Sequence, residues 1–443
     1  MRLFARASGP LRGRIRPPSD KSISHRALIF AALARGPSRI EHLLPSADVL
    51  ATAQAMRALG ADITRSSDDG WQVMPPPAWR SPTQPLDFGN SGTGARLTMG
   101  ALASQPCTAH FTGDSSLRGR PMGRVLEPLA RMGAIAQASA GARLPITLTG
   151  LAQPNPISHA SAIASAQVKS AILLCGLQAD GRTEVIEPTR SRDHTERMAR
   201  SFGAEIGTDR LADGRWRAHL LGRARLEAAG PVHVPGDPSS AAFAAAAAML
   251  VRGSDLVLEQ ICLNPLRIGA FEAMQAMGAD LALHDLSPAG APEPIGEMRV
   301  RHGPPLRGCA PDPAGIAAFI DEVPILAVLA AFAEGETRIT GAADLRHKES
   351  DRIAMTVAGL RACGVEAQEL PDGLVINGQG PNGVSGGAEI ATHGDHRIAM
   401  SFLVLGLAAQ RPVIVDQAEM IATSFPDFVG FMQSLGADIT EAE

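Results

Sequence analysis

The amino-acid sequence predicts an α/β protein of two similar domains, and three observations lead there. The first is a phrase written six times. A helix-like run ends in an apolar residue, then comes Gly-Ala or Gly-Val, then a short apolar strand. It occurs at Met56 to Ala61, Leu129 to Ala134, Met198 to Ala204, Met274 to Ala279, Leu360 to Val365 and Met432 to Ala437. Glycine closes such a helix because it accepts the left-handed cap conformation. Alternation after it, as in Ala61-Asp62-Ile63-Thr64, reads as a strand with one buried face. A spacing of about seventy residues or more is too long for a solenoid and suits a whole α/β unit used six times. The second observation is a pair of Pro-rich crossings, Arg16 to Lys21 and Val232 to Pro238, with three of the phrases between them and three after. The third is composition. The chain has 443 residues, 45% of them apolar, with no Tyr and 3 Trp, so large cores must be built from Ala, Leu, Ile, Val and Met.

The elements follow in order. Met1 to Arg16 carries five Arg and no acid, but it is short for a targeting peptide and runs straight into a polar motif. It reads as strand, with residues 1–19 completing a domain formed by 235–443 around an inserted domain, 20–234. The Ala-rich run Ala241 to Val251 is the most apolar stretch and is too short to span a bilayer. A net charge of −4 argues against general nucleic-acid or membrane binding. The five cysteines, Cys107, Cys175, Cys262, Cys309 and Cys363, lack metal-ligand spacing and read as reduced thiols of a cytoplasmic protein.

Several helix starts share a second signature. Pro18-Ser19-Asp20-Lys21-Ser22-Ile23-Ser24-His25-Arg26, Gly89-Asn90-Ser91-Gly92-Thr93-Gly94-Ala95-Arg96, Gly113 to Arg120, Gly236 to Ser240 and Gly394-Asp395-His396-Arg397 each precede a helical run. Their Ser, Asn and Asp are good N-caps, and capping alone is the plain reading of Gly236 to Ser240. A helix N-terminus also offers free N–H groups and partial positive charge to an anion. Lys21, Arg26, Arg120 and Arg397 add cations to that geometry, and Gly89 to Gly94 permits close backbone approach.

Leu345 to Arg352 is the densest charge cluster. If helical, it places Lys348 and Arg352 on one face, with Glu349 beside Arg352 at i+3. Asp321-Glu322 precedes an apolar run, Ser165 to Lys169 starts another, and Arg192-Asp193-His194 has an ordinary surface reading. No Gly-x4-Gly-Lys-Ser/Thr loop, no Gly-x-Ser-x-Gly elbow and no dinucleotide fingerprint is present. What remains suits small anions and acid–base catalysis.

At these cassettes the sequence resembles the 5-enolpyruvylshikimate-3-phosphate synthase family over essentially its whole length, most specifically at Asp20 to Arg26, Gly89 to Arg96, Gly119-Arg120-Pro121, His347 to Arg352 and Asp395 to Arg397. The resemblance implies an inside-out α/β barrel of two domains with three repeated units each, and an active site in the cleft between them. It implies transfer of the enolpyruvyl group of phosphoenolpyruvate to the 5-hydroxyl of shikimate 3-phosphate, releasing phosphate. No metal or organic cofactor, no nucleic acid and no membrane is implied, and the protein is expected to be a monomer. By motif match, Lys21, Ser22, Arg26, Ser165, Gln167, Arg192, Asp321 and Lys348 are expected to contact shikimate 3-phosphate. Lys21, Asn90, Gly92, Arg120, Gln167, Arg352 and Arg397 are expected to contact phosphoenolpyruvate. Asp321 resembles the base on the 5-hydroxyl, Glu349 the group handling the methylene proton, and Lys21 a further acid–base group. Glyphosate is expected to compete with phosphoenolpyruvate, since Gly92 lacks the methyl that excludes it in resistant relatives. The chain departs from the family pattern at Ala166, where a second Ser is common, and at Thr423, where Lys is common.

Two rivals stand beside this reading. A UDP-N-acetylglucosamine enolpyruvyl transferase would carry a reactive Cys on the loop before its Arg-Pro segment, and Phe111 to Arg124 has none, with Cys107 expected on the preceding strand. A non-catalytic relative that only binds phosphorylated metabolites would need the cations but not both Asp321 and Glu349.

Overall fold

The computed structural model describes residues 1–66, 70–228 and 230–441. The six glycine phrases all close helices. Gly60, Gly133, Gly203, Gly278, Gly364 and Gly436 have φ between +83° and +118°, a conformation open to Gly and costly for other residues. In each phrase the glycine N–H donates to the carbonyl three residues back. The N–H of the next residue donates to the carbonyl five back, as in Ala61 to Met56 at 3.0 Å and Val365 to Leu360 at 2.9 Å. This double closure is the Schellman motif. The residue after glycine is small because it is packed inward: Ala61, Ala134, Ala204, Val365 and Ala437 are buried.

The chain forms two compact units, Met1–Pro18 with Pro235–Glu443, and Ser19–Val234. Each has three sheets, and five of the six combine parallel and antiparallel pairs. In the second unit, Val232–His233 runs parallel to Ser38–Glu41, which pairs antiparallel with Trp71–Met74, followed by Asp62–Arg65. The same order recurs in the sheet of Leu86–Asp87, Thr108–Thr112, Arg143–Thr149 and Ile135–Ser139. It recurs again in that of Ser158–Ala160, Arg182–Glu187, Trp216–Leu221 and Ile206–Arg210. In the first unit the N-terminal residues complete sheets made mostly by the far end of the chain. Leu3–Ala5 lies between Val413–Val415 and Ile439–Glu441, and Arg12–Ile15 runs parallel to Asp255–Cys262. The remaining sheet, Glu334–Ile339, Gly373–Gln379 and Glu366–Leu370, has three strands, with an isolated parallel bridge from Arg307 to Glu334 in the place of a fourth.

Each unit also contains three helices buried on nearly all sides, which is why they read as apolar throughout instead of amphipathic. They are Lys21–Leu33, Gly92–Leu102 and Ala166–Gly176 in one unit, and Pro238–Leu250, Val323–Ala331 and His396–Gly406 in the other. Small residues let them approach closely. A methyl added at Gly100 would overlap the Ala171 backbone, and one at Gly359, on the neighbouring helix Arg352–Ala362, would overlap the Phe402 ring of His396–Gly406. The three tryptophans, Trp71, Trp79 and Trp216, all lie in the Ser19–Val234 unit. Among the described residues no helix is long and apolar enough to cross a membrane.

Candidate active site

Six of the polar cassettes begin the six buried helices, while Gly113 to Arg120 and Leu345 to Arg352 lie at other elements. In the Ser19–Val234 unit, Asp20 caps Lys21–Leu33 by accepting from the Ile23 N–H at 2.8 Å. Lys21 donates to Asp48 at 2.9 Å, a largely buried pair. Arg26, 2% exposed, donates to Thr195 and Ser170 at 2.7 Å each and to the Ser22 carbonyl at 2.9 Å. His25 is enclosed beneath the same cassette, 2.8 Å from the Thr52 hydroxyl and 3.4 Å from that of Ser91. Burial, with help from the neighbouring Lys21 and Arg26 charges, holds its pKa well below the usual imidazole range.

Ser91 caps Gly92–Leu102 through the Gly94 N–H. Beside it Arg120 donates to Asn90 at 2.6 Å and to Ser116 at 3.1 Å, and Asn90 donates to Asp114 at 2.8 Å. A methyl at Gly92 would stand 2.8 Å from the Arg96 guanidinium and 3.2 Å from that of Arg120. Gln167 joins the group by donating to Thr93 and accepting from Arg96, each at 2.9 Å. Asn90, Gly92, Arg120 and Gln167 are thus one constellation. Ser165 caps the Gln167 helix, and Arg192 lies half-buried in the segment 190–193 ahead of the helix His194–Ser201.

The other unit gathers the acids. Arg352, with its side chain 1% exposed, donates to Asp395 at 2.8 Å, to Glu349 at 2.5 Å and to Asp321 at 3.4 Å. Burial pulls its pKa down, but the charges of Asp395, Glu349 and Asp321 outweigh burial and leave it raised. Burial pushes Asp395 up, and Arg352 outweighs that and holds it below the usual carboxylate range. Lys348 sits 3.4 Å from Asp321. Arg397 donates to the Asp321 carbonyl at 3.0 Å and to Glu322 at 3.2 Å. Glu322 also accepts from Ser239, which accepts at 3.0 Å from Arg267, itself paired with Asp237 at 2.7 Å. Asp237 therefore does more than cap its helix.

Two expectations need correction. Residues 348–352 do not lie on one helix. A short 3-10 turn, Ala343–His347, ends before Lys348, and the helix Arg352–Ala362 begins at Arg352 with Asp351 as its cap. Asp351 stops the helix from extending backward because its carboxylate takes the Ala354 N–H. Glu349 still meets Arg352, through a bend and not a helical turn. Cys107 stands just before the strand Thr108–Thr112 instead of on it. Thr423, where a cation was looked for, donates its hydroxyl to the Met420 carbonyl at 2.7 Å.

The pattern of residue types did not single out Asp48, Arg96, Glu322, Arg267 or the buried Lys169 as site-building groups. Arg96, Glu322 and Lys169 lie inside the cassettes already read from the sequence, whereas Asp48 and Arg267 lie outside them. Among the described residues no group of three or more His, Cys, Asp or Glu could hold a metal.

The fold is shared with the enolpyruvyl transferase NikO from Streptomyces tendae, at a TM-score of 0.76 and 21% identity. It is also shared with an EPSP synthase structure from Acinetobacter baumannii, at a TM-score of 0.87 and 38% identity over all of both chains. The 3-phosphoshikimate 1-carboxyvinyltransferase of Parvibaculum lavamentivorans is 54% identical over 437 residues, covering 98% of this chain and 96% of the relative. The Caulobacter vibrioides protein of the same name is 51% identical, with 98% of both covered. Residues 5–432 match the family model for EPSP synthase (3-phosphoshikimate 1-carboxyvinyltransferase), and the chain belongs to that family.

Proposed function

We infer that this chain transfers the enolpyruvyl group of phosphoenolpyruvate to the 5-hydroxyl of shikimate 3-phosphate and releases phosphate, a step of aromatic amino acid biosynthesis. Family membership supports the reaction. The single geometric observation that carries it is the pair of carboxylates, Asp321 and Glu349, held by one buried guanidinium. Besides neutralising a cation, two acids so placed can move protons, which anion binding alone does not require.

In this reading Asp321 takes the proton of the 5-hydroxyl as that oxygen bonds to C2 of phosphoenolpyruvate. Glu349, entering the step in its protonated acid form, gives that proton to the methylene carbon and takes one back when the bond from C2 to the phosphate oxygen breaks. Lys21 protonates the leaving phosphate. Arg120, Arg352 and Arg397, with Asn90, Gly92, Gln167 and Lys21, hold phosphoenolpyruvate. Ser22, Ser165, Gln167, Arg192, Asp321, Lys348 and Lys21 hold shikimate 3-phosphate. Arg26, which also donates to Thr195, Ser170 and the Ser22 carbonyl, belongs to the shikimate 3-phosphate set as well. The carboxylates that neutralise Lys21, Arg352 and Arg397 keep each unit's cations in place until the anionic substrates arrive.

The same reading takes the six sheets, glycine closures and buried helices as six repeated units, three per domain, of the family's inside-out barrel. It also assigns a monomer in the cytoplasm. Free and mostly buried thiols agree with a reducing compartment. Burial raises the Cys107 thiol to about 11, which gives no support to a cysteine-dependent enolpyruvyl transfer.

The test is phosphate release from phosphoenolpyruvate, assayed with and without shikimate 3-phosphate. Release that needs both substrates is expected. No release with shikimate 3-phosphate, or release only with UDP-N-acetylglucosamine, would overturn the assignment.

A further inference from the structure

Lys169 is the one charged side chain of the buried helix Ala166–Gly176 and is 2% exposed. It pairs with Glu187 at 3.1 Å and with Glu196 at 2.8 Å, both carboxylates being buried too. Burial disfavours its charge, yet Glu196 and Glu187 outweigh burial and leave its pKa raised. Its ammonium also donates to the Ser191 carbonyl at 3.1 Å. Glu187 accepts from the Ser191 hydroxyl on both oxygens, at 2.8 Å each, and from the Ser165 N–H at 2.8 Å. One ion pair thus grips Ser191 at its side chain and its carbonyl, and the same carboxylate grips the backbone of Ser165. Residue 192 follows Ser191 directly.

We propose that Glu187, anchored by Lys169, is a positioning residue that sets Ser165 and Arg192 in register for the shikimate 3-phosphate side of the site. This rests on the reading that Ser165 and Arg192 contact that substrate. Of the groups assigned to phosphoenolpyruvate, Arg120 is anchored on Asn90 and Ser116, and Gln167, although on the helix that Ser165 caps, has its side chain held by Thr93 and Arg96. Disturbing Glu187 therefore separates the two substrates.

Glu187→Gln preserves shape but offers one acceptor oxygen to three donors, and its amide turns a donor toward another donor. The KM for shikimate 3-phosphate should rise about tenfold, the size of one lost hydrogen bond to a charged group. The KM for phosphoenolpyruvate and kcat should hold within about twofold on the same scale. Calorimetric binding of shikimate 3-phosphate without phosphoenolpyruvate should weaken in parallel. A merely structural role would lower the folded fraction, which reduces kcat per mole of protein and leaves both KM values unchanged. That outcome, or an equal rise in both, overturns the proposal. If Glu187→Gln fails to fold, Ser191→Ala keeps the ion pair and removes the hydroxyl anchor. It should still raise the shikimate 3-phosphate KM selectively, and unchanged KM values there overturn the proposal as well. Wild-type turnover reports separately on the reading beneath it.

Discussion

Asp321 and Glu349 share Arg352, the proposed reaction gives them different jobs, and neutralising each tests that division. Asp321→Asn and Glu349→Gln keep the volume and remove the proton-transfer capacity. Each should lower kcat by about 10²–10⁴-fold, the usual contribution of a positioned acid or base. Steady-state kinetics with both substrates varied checks this, and near-normal kcat in both variants would remove them from the chemistry. Gly92 is a different kind of position. A methyl there would crowd the guanidinium ends of Arg96 and Arg120 and make ordinary contact with Leu117 at 3.6 Å, without overlapping any backbone, so the fold should hold. Gly92→Ala should relieve inhibition by glyphosate, because the added group clashes first with the longer ligand. Inhibition curves for the two proteins at fixed phosphoenolpyruvate decide it. A wild type already as resistant as the variant would rule Gly92 out as the determinant.

Lys21–Leu33 shows what burying a whole element costs and what can be measured from it. Its His25 is neutral in the folded protein because burial, Lys21 and Arg26 all oppose the charged ring. The unfolded chain takes up that proton below the ordinary value of 6.5, and the folded chain does not. Stability therefore falls as pH drops below 6.5, by up to about 1.4 kcal/mol per pH unit, until the depressed folded value is reached. His25→Asn should flatten that slope in urea titrations between about pH 6.5 and 5, and an identical slope would refute it.

Much about such elements could be read from the sequence, and the limit has a physical cause. The glycine closures depend on hydrogen bonds to carbonyls three and five residues back, so a short window contains all of their physics. The N-cap cassettes are equally local. Partners are not: Lys21 meets Asp48 from 27 residues away, and Arg352 meets Asp395 from 43. A sequence window shows that a cation is present without showing which carboxylate holds it. The Lys169 cluster was missed for that reason, since Glu187 and Glu196 belong to other elements. The helical spacing assumed for Lys348 to Arg352 failed because Asp351 serves as a cap, a role that competes with continuing the helix.

At the scale of the whole molecule, two glycine contacts offer separate handles on the two units. Gly100→Ala forces a methyl into the Ala171 backbone, and Gly359→Ala forces one into the Phe402 ring. Overpacking of this kind typically costs about 1–3 kcal/mol. The first lies in the unit that holds every tryptophan, and the second in the unit that holds none. With no tyrosine in the chain, ultraviolet emission excited at the indole band comes from Ser19–Val234 alone, and Met1–Pro18 with Pro235–Glu443 is optically dark. Gly100→Ala should lower the urea midpoint read by emission, whereas Gly359→Ala should lower the midpoint read by far-ultraviolet ellipticity and leave emission where it was. Equal shifts in both signals for Gly359→Ala would mean that the units melt as one cooperative body. The aromatic-poor composition thus gives the protein a built-in fluorophore label on one half, so its two halves can be followed separately without attaching a dye.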